Sequence, residues 1–306
     1  MQKQNRAAAE TAVSAEFEHT AVKVSMVSII GNAVLSLLKF LAGIFAHSGA
    51  MISDAVHSAS DVFSSIIVII GVKLSTREAD KEHPYGHERF ECVAAIVLAV
   101  VLLVTGLLIG RNALEQIISR DFSSSEAPGL LALVAAVVSI VSKEAMYWYT
   151  RYYAKKLDSG ALMANAWHHR SDALSSIGAL IGIVFARMGY RIIEPIASLV
   201  ICLLILKATY DIFKDAISKM VDSGDETVEQ EIRELALQQK DVLGVDLIHT
   251  RVFGNRIYVD IEICADGQMS LEDSHAVAER VHDVIERSFP KVKHIMVHVN
   301  PAKEEF

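Results

Sequence analysis

Cysteine is scarce in this sequence, and its few cysteines lie far apart. The three are Cys92, Cys202 and Cys264, and no Cys-x-x-Cys spacing occurs. This pattern excludes a disulfide framework and a thiolate metal site. We interpret all three as small, buried apolar residues.

Charged residues are also few. They make up 22% of the 306 residues, against 52% hydrophobic residues and a mean hydropathy of +0.34. This composition is too apolar for a soluble two-domain protein of this length. The apolar residues gather into six stretches that could each cross about 30 Å of hydrocarbon as a helix of about 20 residues. The predicted spans are 22–46, 50–74, 90–110, 130–152, 161–187 and 192–213.

From residue 214 onward, apolar runs give way to alternating and amphipathic segments. We therefore predict an N-terminal segment over 1–21, a six-helix transmembrane domain over 22–213 and a separate soluble domain over 214–306. The tail holds 11 Lys and Arg against 19 Asp and Glu, so the whole net charge of −8 falls there. An acidic domain argues against nucleic acid or an anionic lipid surface as its partner and suits the handling of cations.

The tail has the pattern of a small α/β domain. Residues 226–239 have the period of an amphipathic helix, and residues 256–263 alternate as a half-buried strand. Another strand is predicted to end near Phe253. A second helix over 271–288 and a last strand over 294–299 complete the order helix, strand, strand, helix, strand.

Basic residues beside the spans predict the orientation in the membrane. The connection after the second span carries four Lys and Arg residues and the connection after the fourth carries three, whereas residues 47–49 carry none. Because positive residues favour the cytoplasmic side, we expect both termini in the cytoplasm, with the spans embedded in the lipid of the plasma or inner membrane. The first residues show neither an apolar core nor a cleavage site, so no signal peptide is predicted.

Two predicted spans contain His-x-x-x-Asp, where lipid should tolerate no such residues. His57 and Asp61 occur in the second span, and His168 and Asp172 occur in the fifth. The i to i+4 spacing puts imidazole and carboxylate on one helix face. Two such helices packed face to face would offer two nitrogen and two oxygen ligands to one divalent metal ion, a tetrahedral set by type and number.

The joint occurrence of these His and Asp residues is informative because they lie within apolar spans. A single His on an apolar face is usually a packing residue, but an Asp near the bilayer centre costs about 2.5 to 3.5 kcal/mol, and a bound cation would offset that cost. Asp54, one turn before His57, is a candidate for holding the imidazole in its metal-binding tautomer. His169 projects about 100° away from His168, so we interpret it as a packing or interfacial residue.

The second connection contains a further group of polar residues. Asp80, His83 and His87 could present one carboxylate and two imidazoles along a turn. The ordinary alternative is a solvated, charged loop. Pro84 and Gly86 indicate that the backbone turns sharply, so helical spacing does not apply. The residues alone leave both interpretations open.

Three motifs, in order, resemble the cation diffusion facilitator family. They are SGAMISDAVHSASD over 48–61, DKEHPYGHERFE over 80–91, and the His168-x-x-x-Asp172 pair. The resemblance covers nearly the whole chain and implies a homodimeric exporter that moves zinc or a related divalent ion out of the cytoplasm in exchange for protons. The transport site it implies consists of His57, Asp61, His168 and Asp172.

The resemblance also implies sites outside the spans. Asp80, His83 and His87 match a second metal site of some members. Arg89 and Asp222 match positions that some members pair as a salt bridge between the membrane and cytoplasmic parts.

For the tail, the resemblance implies a ferredoxin-like domain that dimerises and binds regulatory metal at the interface. Asp246, His275 and His298 match metal positions of some members. Ile261 and Asn300 depart from the family pattern, which puts this regulatory site in doubt.

The ligand types bear on which metal is carried. Imidazole with carboxylate suits Zn(II), whereas all-oxygen shells suit Mn(II), so zinc is the predicted substrate. Ligand type alone also leaves Mn(II), Fe(II), Co(II), Ni(II) and Cd(II) open. Because imidazole must be neutral to bind metal, protons and metal compete for one site. We expect His57 and His168 to be the principal proton carriers, with the aspartates contributing.

Two other functional classes would also use metal ligands. An intramembrane metalloenzyme needs an open coordination position and a general base. No His-Glu-x-x-His motif occurs, and the four ligands would fill a tetrahedron, so we predict neither an enzyme nor a cofactor. A membrane metal sensor could bind metal in its tail alone, which would leave the intramembrane residues without a purpose.

Overall fold

The computed structural model describes residues 2–45, 49–119, 130–187, 192–254 and 256–302. The chain divides into two compact units, residues 1–216 and 217–306. The first is helical and the second combines helices with a sheet.

Six long helices build the first unit within the described residues. Each contains all or nearly all of a predicted span, and α1 also takes in nearly all of the N-terminal segment, so residues 2–21 are helical too. The helices are α1 Gln2–Phe45, α2 Gly49–Ser75, α3 Phe90–Ser119, α4 Leu130–Leu157, α5 Gly160–Arg187 and α6 Ile193–Met220.

Two of these helices, among the residues described, have the length and composition to cross a membrane unaided. They are Ser14–Ala42, with a mean hydropathy of 1.8, and Phe90–Ser119, with a mean hydropathy of 3.1. The other four interrupt their apolar sequence with polar or charged residues. Such residues must face the interior of a helix bundle, because lipid cannot solvate them.

The surface and interior of the first unit have the polarity expected for a bilayer. Large apolar side chains point outward, among them Phe63, Val141 and Leu203, each more than 60% exposed. Interior polar side chains include Asn32 and Ser65, both fully buried. Apolar side chains outside and polar side chains inside suit a hydrocarbon solvent.

Small residues let the helices approach closely. Gly71 on α2 packs against Ala94 on α3, where an added Cβ would meet the alanine methyl group. Gly110 on α3 packs in the same way against Cys202 on α6. The buried positions of Cys92 and Cys202 agree with their interpretation as small apolar residues, whereas Cys264 in the second unit is partly exposed.

Three strands and two helices form the second unit. In chain order they are α7 Glu226–Leu237, β1 Gly244–Phe253, β2 Arg256–Ala265, α8 Leu271–Ser288 and β3 Val292–Pro301. The sheet order is β1-β2-β3, with β1 and β2 antiparallel and β2 and β3 parallel. The predicted order of elements, the ferredoxin-like fold and the preceding helical domain are confirmed.

Alternation along β2 decides which face of the sheet the helices cover. Val259, Ile261 and Ile263 are buried together with Val281 and Ile285 of α8. Asp225 begins α7 by accepting hydrogen bonds from the backbone of residues 227 and 228, as an N-cap side chain does. The opposite face of the sheet carries the polar side chains of β2.

Candidate metal centre

Three of the four predicted intramembrane ligands converge in the first unit. Asp61 on α2 and His168 and Asp172 on α5 are buried, and their ligand atoms lie within 4.8 Å of one another. Nε2 of His168 is 3.4 Å from Oδ1 of Asp61 and 4.0 Å from Oδ2 of Asp172. The i to i+4 spacing on α5 puts its two ligands on one face, and the packing of α2 against α5 brings in the third.

These separations are close to those of a metal shell. Bonds of about 2.0 to 2.2 Å in a tetrahedron give ligand-to-ligand distances of roughly 3.3 to 3.6 Å. The gap between His168 and Asp61 already has that size, and the gap to Asp172 exceeds it by less than 1 Å. The spacing of these three side chains therefore suits one small dication.

The other two predicted residues of this site cannot be placed. The side chains of His57 and Asp54 lie outside the described residues, although both positions belong to α2. The fourth ligand and the residue proposed to orient it stay predictions. His169 contacts Ser28 on α1 through Nε2 at 3.2 Å and is fully buried.

A lysine that the sequence analysis missed enters the same site. Lys143 on α4 is 2% exposed, and its Nζ donates to Oδ2 of Asp61 at 2.5 Å and to Oδ2 of Asp172 at 2.8 Å. A signal for it was present, because a lysine in the middle of an apolar span is as costly as an aspartate. Its ammonium links the two carboxylates.

The loop between α2 and α3 gathers Asp80, His83 and His87. Their ligand atoms also lie within 4.8 Å of one another. Asp80 is 3.3 Å from Nδ1 of His83 and 3.4 Å from Nε2 of His87. Nδ1 of His87 is 3.1 Å from the carbonyl oxygen of Glu78. Because a carbonyl only accepts, Nδ1 carries the proton and Nε2 keeps a lone pair for a metal ion.

The turn itself depends on Asp80. Its Oδ1 accepts hydrogen bonds from the backbone N–H of Glu82 at 2.9 Å and of His83 at 2.7 Å. These bonds, above all the one from His83, hold the pKa of the Asp80 carboxyl below its ordinary value of 3.8. Gly86 has φ 94°, a conformation that favours glycine. The three candidate ligands thus sit on a folded turn instead of a helix.

The predicted tail ligands do not meet within the described part of this single chain. Oδ2 of Asp246 accepts from Nδ2 of Asn300 at 3.0 Å. His275 lies on α8, is exposed, and is 3.5 Å from Glu279. Ile261, which departs from the family pattern, is buried in the core. A metal site of Asp246, His275 and His298 shared between two chains stays a prediction.

A further group of potential ligands lies on α8. His282, Asp283 and Glu286 on α8 form a third group of potential ligand atoms within 4.8 Å, which the sequence analysis did not identify. Its members are adjacent on one turn of a solvated helix, where such grouping is common.

The predicted salt bridge joins residues of different units. Arg89 belongs to the first unit and Asp222 to the second, so this salt bridge stays a prediction.

Family models match almost the whole chain. A model described as the cation efflux transmembrane domain matches residues 25–221, and one described as the cation efflux protein cytoplasmic domain matches residues 225–302. Together the two matches include every candidate ligand named above.

Individual relatives match over similar lengths. An uncharacterized transporter of Methanocaldococcus jannaschii is 36% identical over 280 residues, covering 90% of this chain and 96% of the relative. Manganese efflux system protein MneP of Bacillus subtilis is 29% identical over 301 residues, covering 96% and 100%. Metal tolerance protein C1 of Arabidopsis thaliana is 34% identical over 300 residues, covering 93% of this chain. This chain spans 63% of the plant protein's length.

Proposed function

The chain belongs to the cation efflux, or cation diffusion facilitator, family of integral membrane transporters, and we propose that it exports divalent metal cations, Zn(II) first among them, in exchange for protons. The observation that carries this proposal is the convergence of Asp61, His168 and Asp172 inside an apolar helix bundle. Two carboxylates and an imidazole form a site for a dication, and the ammonium of Lys143 balances one of the two negative charges.

Zinc is favoured by the type of ligand. His168 supplies one imidazole, and His57 on α2 is the proposed source of a second. Two nitrogen and two oxygen ligands in a tetrahedron suit Zn(II). The site then has no open position for a substrate to be activated, which favours transport over catalysis.

Manganese is the second candidate substrate. The MneP relative, named for manganese efflux, aligns with nearly all of this chain. Among the described side chains, oxygen donors outnumber nitrogen donors two to one. Carboxylate oxygens suit Mn(II), and a site of mixed ligands selects by geometry and availability as well as by affinity.

Proton exchange follows from competition for the same atoms. A metal ion binds neutral imidazole, so a proton on His168 or His57 must leave before the metal enters. An empty site that faces a more acidic exterior regains its protons there. We propose that this alternation couples metal export to proton entry, in a protein of the cell membrane with both termini in the cytoplasm.

The second unit is proposed as a dimerisation domain. It matches the cytoplasmic domain model of the family, and the open face of its sheet carries polar side chains that include Asp246, Glu262 and Asn300. A regulatory metal shared between two copies would tighten the dimer as cytoplasmic metal rises. The loop site at Asp80, His83 and His87 is proposed to bind metal at the cytoplasmic end of the membrane domain.

Metal uptake into everted vesicles tests the proposal. Zinc, manganese, iron, cobalt and cadmium are offered separately, with and without a proton gradient. Asp61→Ala and Asp172→Ala are expected to lower flux at least about 100-fold, whereas Asp211→Ala, which removes an exposed carboxylate on α6, leaves flux within about twofold. Undiminished flux in Asp61→Ala rejects the route, and flux that ignores the gradient rejects proton coupling.

A further inference from the structure

We propose that Lys143 is a tethered competitor of the transported cation: its ammonium binds both carboxylates of the metal centre, and an incoming dication displaces it. This inference rests on the proposed function of that site. It adds a residue on a third helix, α4, that sets both the affinity for metal and its release.

The atoms that Lys143 contacts show why the ammonium and a dication would compete. Asp61 presents Oδ1 to His168 and Oδ2 to Lys143, so its two oxygens serve different partners. Asp172 presents Oδ2 to both, at 4.0 Å from the imidazole and 2.8 Å from the ammonium. A dication that binds the imidazole and the same oxygen of Asp172 would therefore share Oδ2 with the ammonium, and the positive charge on each cation opposes this sharing.

Charge leads to the same conclusion. Among the described side chains of the site, two carboxylates and one ammonium carry one net negative charge when the imidazole is neutral. A dication that entered while Lys143 stayed in place would lie a few ångströms from another cation in a buried setting, where repulsion is only weakly screened. The flexible four-carbon stem of lysine lets the ammonium withdraw.

The competition has two consequences for transport. Molecules in which Lys143 occupies the carboxylates cannot bind metal, so the apparent Kd equals the intrinsic Kd divided by the fraction of molecules in which the carboxylates are available. After the metal leaves, the ammonium returns, and the two carboxylates do not face each other uncompensated in an apolar interior. Lys143 thus weakens binding and assists release.

A permanent structural ion pair is the alternative role for Lys143. In that case the two bonds hold α2, α4 and α5 together whether or not metal is bound. Replacing the lysine would then lower the folded yield or loosen the metal centre. Because a fixed ammonium also repels a dication, Lys143→Met would tighten binding in this case too, whereas Lys143→Arg, which keeps the charge, would leave the Kd unchanged.

The test measures binding and transport on the full-length protein with Zn(II) alone. In titrations of the wild-type protein, the transport site is the Zn(II)-binding component that is lost in Asp172→Asn. Lys143→Met is expected to lower the Kd of that component at least about tenfold, and in vesicles to lower KM and kcat together. Ser139→Ala is the control, since it changes a buried polar residue one turn earlier on α4, and its Kd is expected to match wild type.

The outcomes separate the proposed function of the site from the competitor role of Lys143. If the wild-type protein shows no Zn(II)-binding component that depends on Asp172, the proposed function itself is wrong. If the wild-type protein shows this component and folded Lys143→Met binds Zn(II) there with an unchanged or raised Kd, only the competitor role is overturned. Lys143→Arg is measured beside Lys143→Met and replaces it if that variant does not fold, because a guanidinium keeps the positive charge, binds carboxylates more rigidly and is expected to raise the Kd about tenfold. An unchanged Kd in Lys143→Arg also overturns the role.

Discussion

Nε2 of His168 lies 3.4 Å from Oδ1 of Asp61, although 107 residues separate the two in the chain. The contact joins α5 to α2 deep within the first unit. The separation suits either a hydrogen bond or two ligands of one ion, and it supports the proposed metal site. The adjacent His169 instead turns toward α1.

This contrast between neighbours gives the first prediction. His168→Gln is expected to weaken Zn(II) binding at the transport site more than about 100-fold, because it removes a nitrogen ligand. His169→Gln leaves the Kd within about threefold and instead lowers the thermal midpoint, since His169 is fully buried and bonds to Ser28. Titration with Zn(II) and thermal melts of both variants check this. Equal loss of affinity in both would contradict the assignment.

The second prediction separates the two roles of Asp80. An Asn side chain can accept the backbone bonds that form the turn, but it lacks the charge that attracts a metal ion. Asp80→Asn should therefore keep the loop folded and lose loop-site metal binding, whereas Asp80→Ala loses both. Metal titration combined with hydrogen exchange of the loop amides distinguishes them.

The same carboxyl predicts a pH dependence of the turn. Because its pKa is lowered, the stabilisation that Asp80 gives the turn is fully present above the ordinary value of 3.8 and is lost as the pH falls through the lower value. NMR titration of the Asp80 carboxyl should show a midpoint under 3.8. A midpoint above that value would mean that the backbone bonds from Glu82 and His83 do not form in solution.

Close approach between helices gives the third prediction. At Gly71 an added Cβ collides with the methyl group of Ala94, both on rigid helices. Gly71→Val is expected to destabilise the first unit by about 1 to 3 kcal/mol. Gly160→Ala is the control, since its Cβ would meet Ala95 at an ordinary 3.5 Å. Unfolding followed by intrinsic fluorescence or circular dichroism measures the difference, and equal stability of the two variants would reject the collision.

The fourth prediction concerns the thiol of the second unit. Burial raises the pKa of the Cys264 thiol, and the neighbouring Asp246 carboxylate raises it further. At pH 8 the thiolate fraction, and so the alkylation rate, should be lower than for a free cysteine. Asp246→Asn should increase the rate about two- to fivefold. Mass spectrometry of iodoacetamide labelling at Cys264 reads this out, and an unchanged rate in the variant counts against the interaction.

Local patterns were enough to predict the elements. The apolar stretch at 90–110 and the alternation at 256–263 predicted α3 and β2 because periodicity and hydropathy belong to neighbouring residues. The helix ends extended beyond the predictions. For example, α4 continues to Leu157. Its last turns are polar, so the apolar stretch that defined the prediction ends before the helix does.

The candidate sites were predictable to different degrees. His168 and Asp172 share a face through their spacing alone, so half of the metal centre could be predicted from α5. The loop triad was ambiguous, because its spacing through Pro84 and Gly86 does not correspond to a regular helix. The tail triad came from family resemblance alone, and in the single chain His275 is carried by α8 while Asp246 is on β1.

The sequence by itself determined the helical and sheet segments, the acid and imidazole pairs one turn apart, and the division of charge between the membrane part and the tail, since all of these depend on order along the chain. Only the tertiary structure decided that Lys143 enters the space between Asp61 and Asp172, 82 and 29 residues away. The physical reason is that no local pattern specifies which buried carboxylates a lysine will meet. That choice depends on how α2, α4 and α5 pack, since each buried charge needs a partner of opposite sign.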